Sequence, residues 1–457
     1  METGKIMSKK VYLENLGCAK NQVDAEVMIE KLAQDGWEYT QKLKEADLVL
    51  VNTCGFINIA KEESIKTFFE LNENKKKGSK IVMTGCLAQR YASDLSEEIP
   101  EADAFFGNRD LSQITDVVNS LYSDKEKKII RPEYPSVEKE YYKRKKLLGF
   151  KGSAYLKISE GCDHRCHYCA IPIIRGPLRS RCEKDIIEDA KNLISKGIWE
   201  INIIAQDLAA YGTDLGDKSS RFCDLLKKLC RLDGDYRLRL LYIHPDSFPD
   251  ELIDIVKNEK KVLPYFDIPF QHASVKVLRE MGRTGTAKSY GDLIRKIRKE
   301  IPEAIIRTTI LLGFIHEDED SFKEVISFIK STEFDWMGSF IYSREEDTPA
   351  WSLRTEIEQE EMEARAAIWK EELETVQEPI TLNRLERLVG KEVDVLIEEL
   401  IKGEELAIGR IYAQAPDVDG LTVVMGRNME PGKVYRCGIS KVNGVDLEAI
   451  KIDGQEK

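Results

Sequence analysis

Two separate runs of alternating strands and helices, followed by a tail of short strands, predict a multidomain α/β chain. The expected parts are an N-terminal parallel-sheet α/β domain, a central partial TIM-like (β/α)6 barrel and a small C-terminal all-β barrel. At 457 residues, with 42% hydrophobic and 33% charged residues, the chain has material for several cores and for the surface around them.

In the first run, strands VYLENLG (11–17), DLVLVNT (47–53) and KIVMTG (80–85) alternate with helices over 24–36, from Asn58 to Glu73, and after the third strand. Such alternation implies a parallel sheet with helices on its faces, here spanning residues 1–123. Residues 124–149 are charge-rich, hold two prolines and the run KRKK (143–146), and read as a linker. The second run spans 150–387. Its strands are AYLKIS (154–159), EINIIA (200–205), RLRLLYI (237–243), YFDIPF (265–270), AIIRTTILL (304–312) and DWMGSFIY (335–342). Six βα units of this size fit an incomplete barrel. Residues 356–387 are mostly helical, with Pro379 expected to break or kink the run. From 388 to 457 short strands and Gly-rich turns take over.

No apolar run approaches the ~18 residues of a membrane span. The opening METGKIMSKK is too short and polar for a secretory signal. The expectation is a cytoplasmic protein that does not enter a membrane. In that reducing compartment the ten cysteines point to metal or catalysis rather than disulfides. A net charge of −12 argues against a broad nucleic-acid-binding face and suits a basic partner.

Cys162, Cys166 and Cys169 form C-x3-C-x2-C directly after a predicted strand. Three thiolates leave one iron of a four-iron cluster open, and S-adenosylmethionine can chelate that iron through its amino and carboxylate groups. An electron passed into the sulfonium then releases a 5′-deoxyadenosyl radical. The competing reading is buried thiols, or a zinc knuckle completed by His164 or His167. Strand placement, spacing and the six βα units all favour the cluster. Tyr168 stands at the aromatic position of the motif, near the expected adenine, or else is a packing aromatic.

Cys18, Cys54 and Cys86 each follow a predicted strand, in ENLGC, LVNTC and VMTGC. A parallel sheet puts the C-terminal ends of its strands on one edge, where cofactors gather. Three thiolates there suit a second cluster with its own open iron. Any one of them alone would pass for a small buried hydrophobe. Cys182, Cys223, Cys230 and Cys437 are isolated and read as structural.

The segments NLGCAKNQVDAE, VNTCGFI, TGCLAQR and SEGCDHRCHYCAIPIIRGPLRSR resemble those of the radical-SAM methylthiotransferases, and the resemblance covers nearly the whole chain. It implies an N-terminal domain carrying an auxiliary cluster, a radical-SAM barrel and a TRAM domain. It also implies two 4Fe-4S clusters, one on each cysteine triad, with S-adenosylmethionine. One branch of that family modifies an adenosine in tRNA; the other modifies an aspartate of the small-subunit ribosomal protein uS12. LGCAKNQVDAE, CAIPIIRGPLRSR, YSREEDTPA (342–350) and GRIYAQAPDVDG (409–420) resemble the uS12 branch. From Leu388 to Lys457 there are nine Lys and Arg against thirteen Asp and Glu, a net of −4, which suits a basic protein partner better than tRNA.

The implied chemistry uses one S-adenosylmethionine as methyl donor to a sulfur associated with the auxiliary cluster. A second is cleaved, and the radical takes a hydrogen from the β-carbon of the target aspartate, which then captures the methylthio group. The resemblance implies a sulfur donor and an electron donor without identifying either, uS12 met free or in the ribosome, and a monomer. Strand-end placement adds Gln206, Asp207, Gln271 and His272 as candidate contacts. Arg307 and Glu317, on and after the fifth barrel strand, join the cofactor-binding set, and Arg175 and Arg179 are candidates to hold a carboxylate. The family usually reads Gly-Phe-Pro-Gly-Glu after that strand. Here Ile315 and His316 replace Pro-Gly, so a bulky side chain stands where glycine permits a tight turn.

Overall fold

The computed structural model describes residues 9–123, 128–134, 144–355 and 357–456. The chain forms two compact units. One comprises the residues up to Leu148 with Glu160–Asp163 and Ala170–Asp185; the other comprises Gly149–Ser159, His164–Cys169 and Ile186–Lys457.

The first unit is built on six parallel strands in the order Glu38–Tyr39, Lys10–Asn15, Leu48–Thr53, Lys80–Gly85, Ala104–Phe106, Lys128–Ile130. Side chains of a strand alternate between faces, so Leu48 and Leu50 enter one core while Val49 and Val51 enter the other. Helices Ala19–Gln34 and Ile114–Ser123 cover the first face, and Asn58–Asn74 and Cys86–Glu98 the second. Burial on both faces explains why these strands read as continuous apolar runs.

Residues 124–127 and 135–143 of the expected linker lie outside the described residues. Its remainder is not loose chain: Lys128–Ile130 pairs with Ala104–Phe106, and Arg144, 1% exposed, meets Glu26 at 2.7 Å.

In the second unit six parallel strands run in sequence order: Ser153–Lys157, Glu200–Ile204, Arg237–Leu241, Val262–Asp267, Ile305–Leu312, Trp336–Ile341. This is the singly wound, open sheet of a partial barrel, with helices between successive strands. Local chemistry starts two of them: Thr286 and Ser289 form a capping box for Ala287–Glu300, and Asp318 accepts from the Ser321 amide to open Glu319–Thr332.

Pro379, expected to break the C-terminal helix, instead sits inside Gln359–Glu386. Met362, Ala366, Trp369, Leu373, Gln377, Thr381 and Leu385 form one buried stripe running past it. On either side of the exposed proline, Gln377 Nε2 donates to Phe334 O and Arg384 Nε meets Asp335. Packing on both sides outweighs the missing amide.

Residues 392–456 form a closed five-stranded barrel, one strand of which, Asp446–Glu456, the sequence pattern did not suggest. The segment GRIYAQAPDVDG leads from this barrel to the N-terminal ends of the parallel strands. Arg410 Nη1 meets Glu200 Oε1 at 2.8 Å, Arg239 Nη1 donates to Tyr412 O at 2.7 Å, and Tyr265 OH donates to Asp419 at 2.6 Å. Burial opposes ionisation of Glu200, but Arg239 and Arg410 overcome it and hold its carboxyl down at about 2. Among the described residues no helix is long and apolar enough to cross a membrane.

Candidate functional site

In the first unit three neighbouring parallel strands run out into three cysteines. Asn15 pairs with Asn52 and Asn52 with Thr84, so the loops holding Cys18, Cys54 and Cys86 leave one sheet edge together. Cys18 precedes helix Ala19–Gln34 and Cys86 opens helix Cys86–Glu98. Two glycines set how near these loops come. A Cβ on Gly17, whose φ is +92°, would lie 3.0 Å from Cys54 Cβ and 3.4 Å from its Sγ. One on Gly55 would lie 2.8 Å from the Leu87 N and Cα and 2.9 Å from the Cys86 carbonyl carbon. Any side chain at either position would wedge the cysteine loops apart.

Burial pushes the Cys86 thiol up to about 12, against the pull of the Arg175 guanidinium. Burial raises Cys54 as well. Metal binding requires the thiolate, so the donors around it matter. Asn108 Nδ2 donates to Cys86 Sγ at 3.3 Å and Arg175 Nη2 at 3.8 Å. Arg175, a candidate to hold a carboxylate, is already held by two of the protein's own. Its Nη2 lies 2.8 Å from Asp24 Oδ2 and 2.7 Å from Asn21 Oδ1, and its Nη1 lies 3.0 Å from Glu160 Oε2. Arg179 donates to the carbonyls of Arg175 and Pro177. Both arginines shape the loop.

Of the second triad, Cys162 belongs to the first unit, where its amide donates to Gly176 O at 3.1 Å. In the second unit the Cys169 amide donates to Cys166 O at 3.1 Å, which closes a turn between the two residues. The His167 amide donates to Met281 O, and its carbonyl accepts from Ala350 N, which fixes the turn on two sides. Tyr168 OH accepts from Arg283 Nη2 at 2.9 Å, and Arg283 Nη1 donates to Pro269 O.

Asp207, expected to contact the cofactor, is buried with both oxygens engaged. Oδ1 accepts from the amides of Ala209 and His244, and Oδ2 meets His164 Nε2 at 2.7 Å and Ser247 Oγ at 2.9 Å. Burial resists its ionisation, yet these bonds keep its carboxyl below the usual range. It is a support for two histidines. Gln206 and Gln271 are half-buried at strand ends, and among the described residues no hydrogen bond engages either side-chain amide. Gln271 holds a left-handed φ of +69° because its amide and carbonyl bond to Thr309 and Leu311.

Two other expected contacts have different parts here. Arg307 is the third residue of its eight-residue strand, away from the site end, and its guanidinium lies between Asp267 (3.2 Å) and Asp419 (3.3 Å). Glu317 is 1% exposed; its Oε2 accepts from the Gly313 and Phe314 amides and its Oε1 meets His272 Nε2 at 3.0 Å. It holds the loop that the sequence marked as irregular. In that loop Ile315 is fully buried beside Phe314 and Met281, filling an apolar cluster against Tyr168.

His316 keeps a glycine-like backbone, φ +64°, tied down by Nδ1 to Glu280 at 3.2 Å and Nε2 to Arg354 O at 2.8 Å. His316→Gly is expected to change stability by no more than about 1 kcal/mol, since relief of the strained φ offsets the lost contacts. S-adenosylmethionine cleavage should be preserved or raised. Thermal denaturation and a cleavage assay read both, and a clear loss of cleavage contradicts it.

Of the isolated cysteines, Cys223, Cys230 and Cys437 are packed in cores, where burial pushes each thiol up to about 12. Cys182 is exposed. Among the described residues no three His, Cys, Asp or Glu side chains converge on one ion position. The ligands of a four-iron cluster each bind a different iron, so the two triads need no such point.

An α/β chain with a singly wound six-stranded sheet and a cysteine triad after its first strand defines a radical-SAM protein. The Radical SAM superfamily matches residues 156–329, the Uncharacterized protein family UPF0004 matches 10–107, and the TRAM domain matches 389–452. The ribosomal protein uS12 methylthiotransferase RimO of Treponema denticola is 42% identical, covering 95% of this chain and 99% of its own. That of Acetivibrio thermocellus is 42% identical over 99% of this chain and 100% of its own. The chain belongs to the RimO family. In fold it is similar to the radical S-adenosylmethionine methyltransferase TsrM from Kitasatospora setae, with a TM-score of 0.56 and 14% identity over 75% of this chain and 77% of that one.

Proposed function

We propose that this protein is a radical-SAM methylthiotransferase that adds a methylthio group to the β-carbon of an aspartate in uS12. In this reading Cys162, Cys166 and Cys169 hold one 4Fe-4S cluster, and Cys18, Cys54 and Cys86 hold a second. The observation that carries it is the convergence of Cys18, Cys54 and Cys86: three thiols at the ends of adjacent parallel strands, drawn close by Gly17 and Gly55. Identities of 41–42% to RimO relatives along nearly the whole chain support the substrate.

When bound, the clusters and S-adenosylmethionine supply the electron, the radical and the methyl group. The protein's own part is to hold them. Asn108 and Arg175 offer hydrogen bonds to the Cys86 thiolate, and Arg283 orients Tyr168 beside the radical triad. Gln206 and Gln271 bring to the strand ends, where a barrel keeps its site, side-chain amides that no hydrogen bond engages among the described residues. Glu317 fixes the Gly313–Phe314 turn through its two amides. The acidic C-terminal barrel suits a Lys- and Arg-rich ribosomal protein, met in a cytoplasmic setting.

Anaerobically reconstituted enzyme is expected to hold about eight irons per chain, as two four-iron clusters require. Incubated with a uS12 peptide and separately with tRNA, it should add a methylthio mass to the peptide alone. Mass gain on tRNA alone would overturn the substrate; one zinc and no sulfide would overturn the chemistry.

A further inference from the structure

His244 follows the barrel strand Arg237–Leu241, and none of the sequence motifs marked it. Its Nδ1 accepts the amide N–H of Asp246 at 3.2 Å, so in the neutral ring the proton sits on Nε2. That nitrogen lies 3.9 Å from Cys166 Sγ.

The ring is held in place from several sides. It stacks on His164 with centroids 4.1 Å apart and planes 12° from parallel. The His244 amide donates to Asp207 Oδ1 at 3.0 Å, while Asp207 Oδ2 meets the Nε2 of His164 at 2.7 Å. One carboxylate therefore sets both histidines, and Ser247 Oγ steadies that carboxylate in turn. Further back, Asp267 Oδ2 accepts from the Tyr242 amide at 3.1 Å, which fixes the left-handed residue (φ +70°) two positions before the ring.

We propose that His244 is a positioning residue that donates an Nε2–H hydrogen bond to the Cys166 thiolate and so raises the reduction potential of the cluster held by that triad. This rests on the reading of Cys166 as an iron ligand. A hydrogen bond to a ligand sulfur draws off negative charge, and the reduced cluster carries one electron more than the oxidised one. Its reduced state gains the more from the donor. His164 and Asp207 serve as the clamp that aims the ring, and neither touches Cys166 in this role.

The test is an anaerobic redox titration of the reconstituted full-length chain, followed by electron paramagnetic resonance. Performing it in a C18A/C54A/C86A background leaves one cluster and an unambiguous signal. His244→Phe keeps a ring to stack on His164 but has no donor, and is expected to lower the midpoint potential with iron content unchanged. His244→Gln retains an N–H and should fall between H244F and the parent. If the phenyl ring prevents iron uptake, His244→Leu takes its place with the same expectation. An unchanged midpoint in the donorless, iron-loaded variant overturns the proposal. The underlying reading fails separately, if Cys166→Ala in the same background keeps its full iron.

Discussion

Arg175→Met is expected to weaken the first unit by about 3 kcal/mol, the usual cost of breaking a buried ion pair by removing one partner. The arginine is 3% exposed, and its departure takes a cation from Asp24, itself 2% exposed, and from Glu160, 12% exposed. Two carboxylates held out of water would then each have one cationic partner fewer. Amide hydrogen exchange in the strands Lys10–Asn15, Leu48–Thr53 and Lys80–Gly85 should quicken by roughly 100-fold. The loss has a chemical side too. Arg175 is what pulls the Cys86 thiol down against burial, so its removal makes that thiol harder to ionise and slows cluster uptake at the first triad. Adding D24N and E160Q to R175M removes the two buried charges and should recover much of the stability but not the uptake. If R175M exchanges like the parent, the arginine is not holding this unit together.

What the sequence made legible follows the strength of each physical signal. Leu48–Thr53 and Lys80–Gly85 are apolar runs bounded by turns, and the reading matches the structure closely. Glu38–Tyr39 and Ala104–Phe106 are too short for any periodicity, and Lys128–Ile130 hides in a charge-rich stretch, so half of that sheet was invisible. The placement of the cysteines was legible because Cys54 and Cys86 directly follow strands that the apolar pattern marks, and Cys162, Cys166 and Cys169 stand close in sequence. Their supports were not. Asp207 and Glu317 stand where cofactor contacts stand, but strand-end loops also need carboxylates to tie down their own amides, and spacing does not separate the two uses. Arg307 was misplaced for a plainer reason: being near the front of its strand, it faces Asp419 of the GRIYAQAPDVDG segment rather than the strand's C-terminal end. His244 and Arg283 become visible only when the chain folds around Cys166 and Tyr168.

Cys86→Ala is expected to abolish methylthio transfer to the uS12 peptide while S-adenosylmethionine cleavage stays within about twofold of the parent. Iron should fall from about eight to about four per chain. Alanine is the best helix former, so the first position of Cys86–Glu98 tolerates it, and the backbone against Gly55 does not change. The structural cost is a lost acceptor for Asn108 and Arg175 and a lost donor to Asn21 Oδ1, about 1–2 kcal/mol in all because Arg175 and Asn21 Oδ1 keep other partners. That is smaller than the cost at Arg175, which retains its carboxylates in this variant. Stability and chemistry therefore separate: R175M damages mainly the fold, C86A mainly the reaction. Cys230→Ala supplies the contrast, since that thiol is equally buried but closes helix Phe222–Cys230 in the second unit's core and belongs to neither triad. It should keep all its iron and its transfer activity. If C86A still transfers the methylthio group, or if C230A loses iron to the same extent, the first triad is not a cluster site.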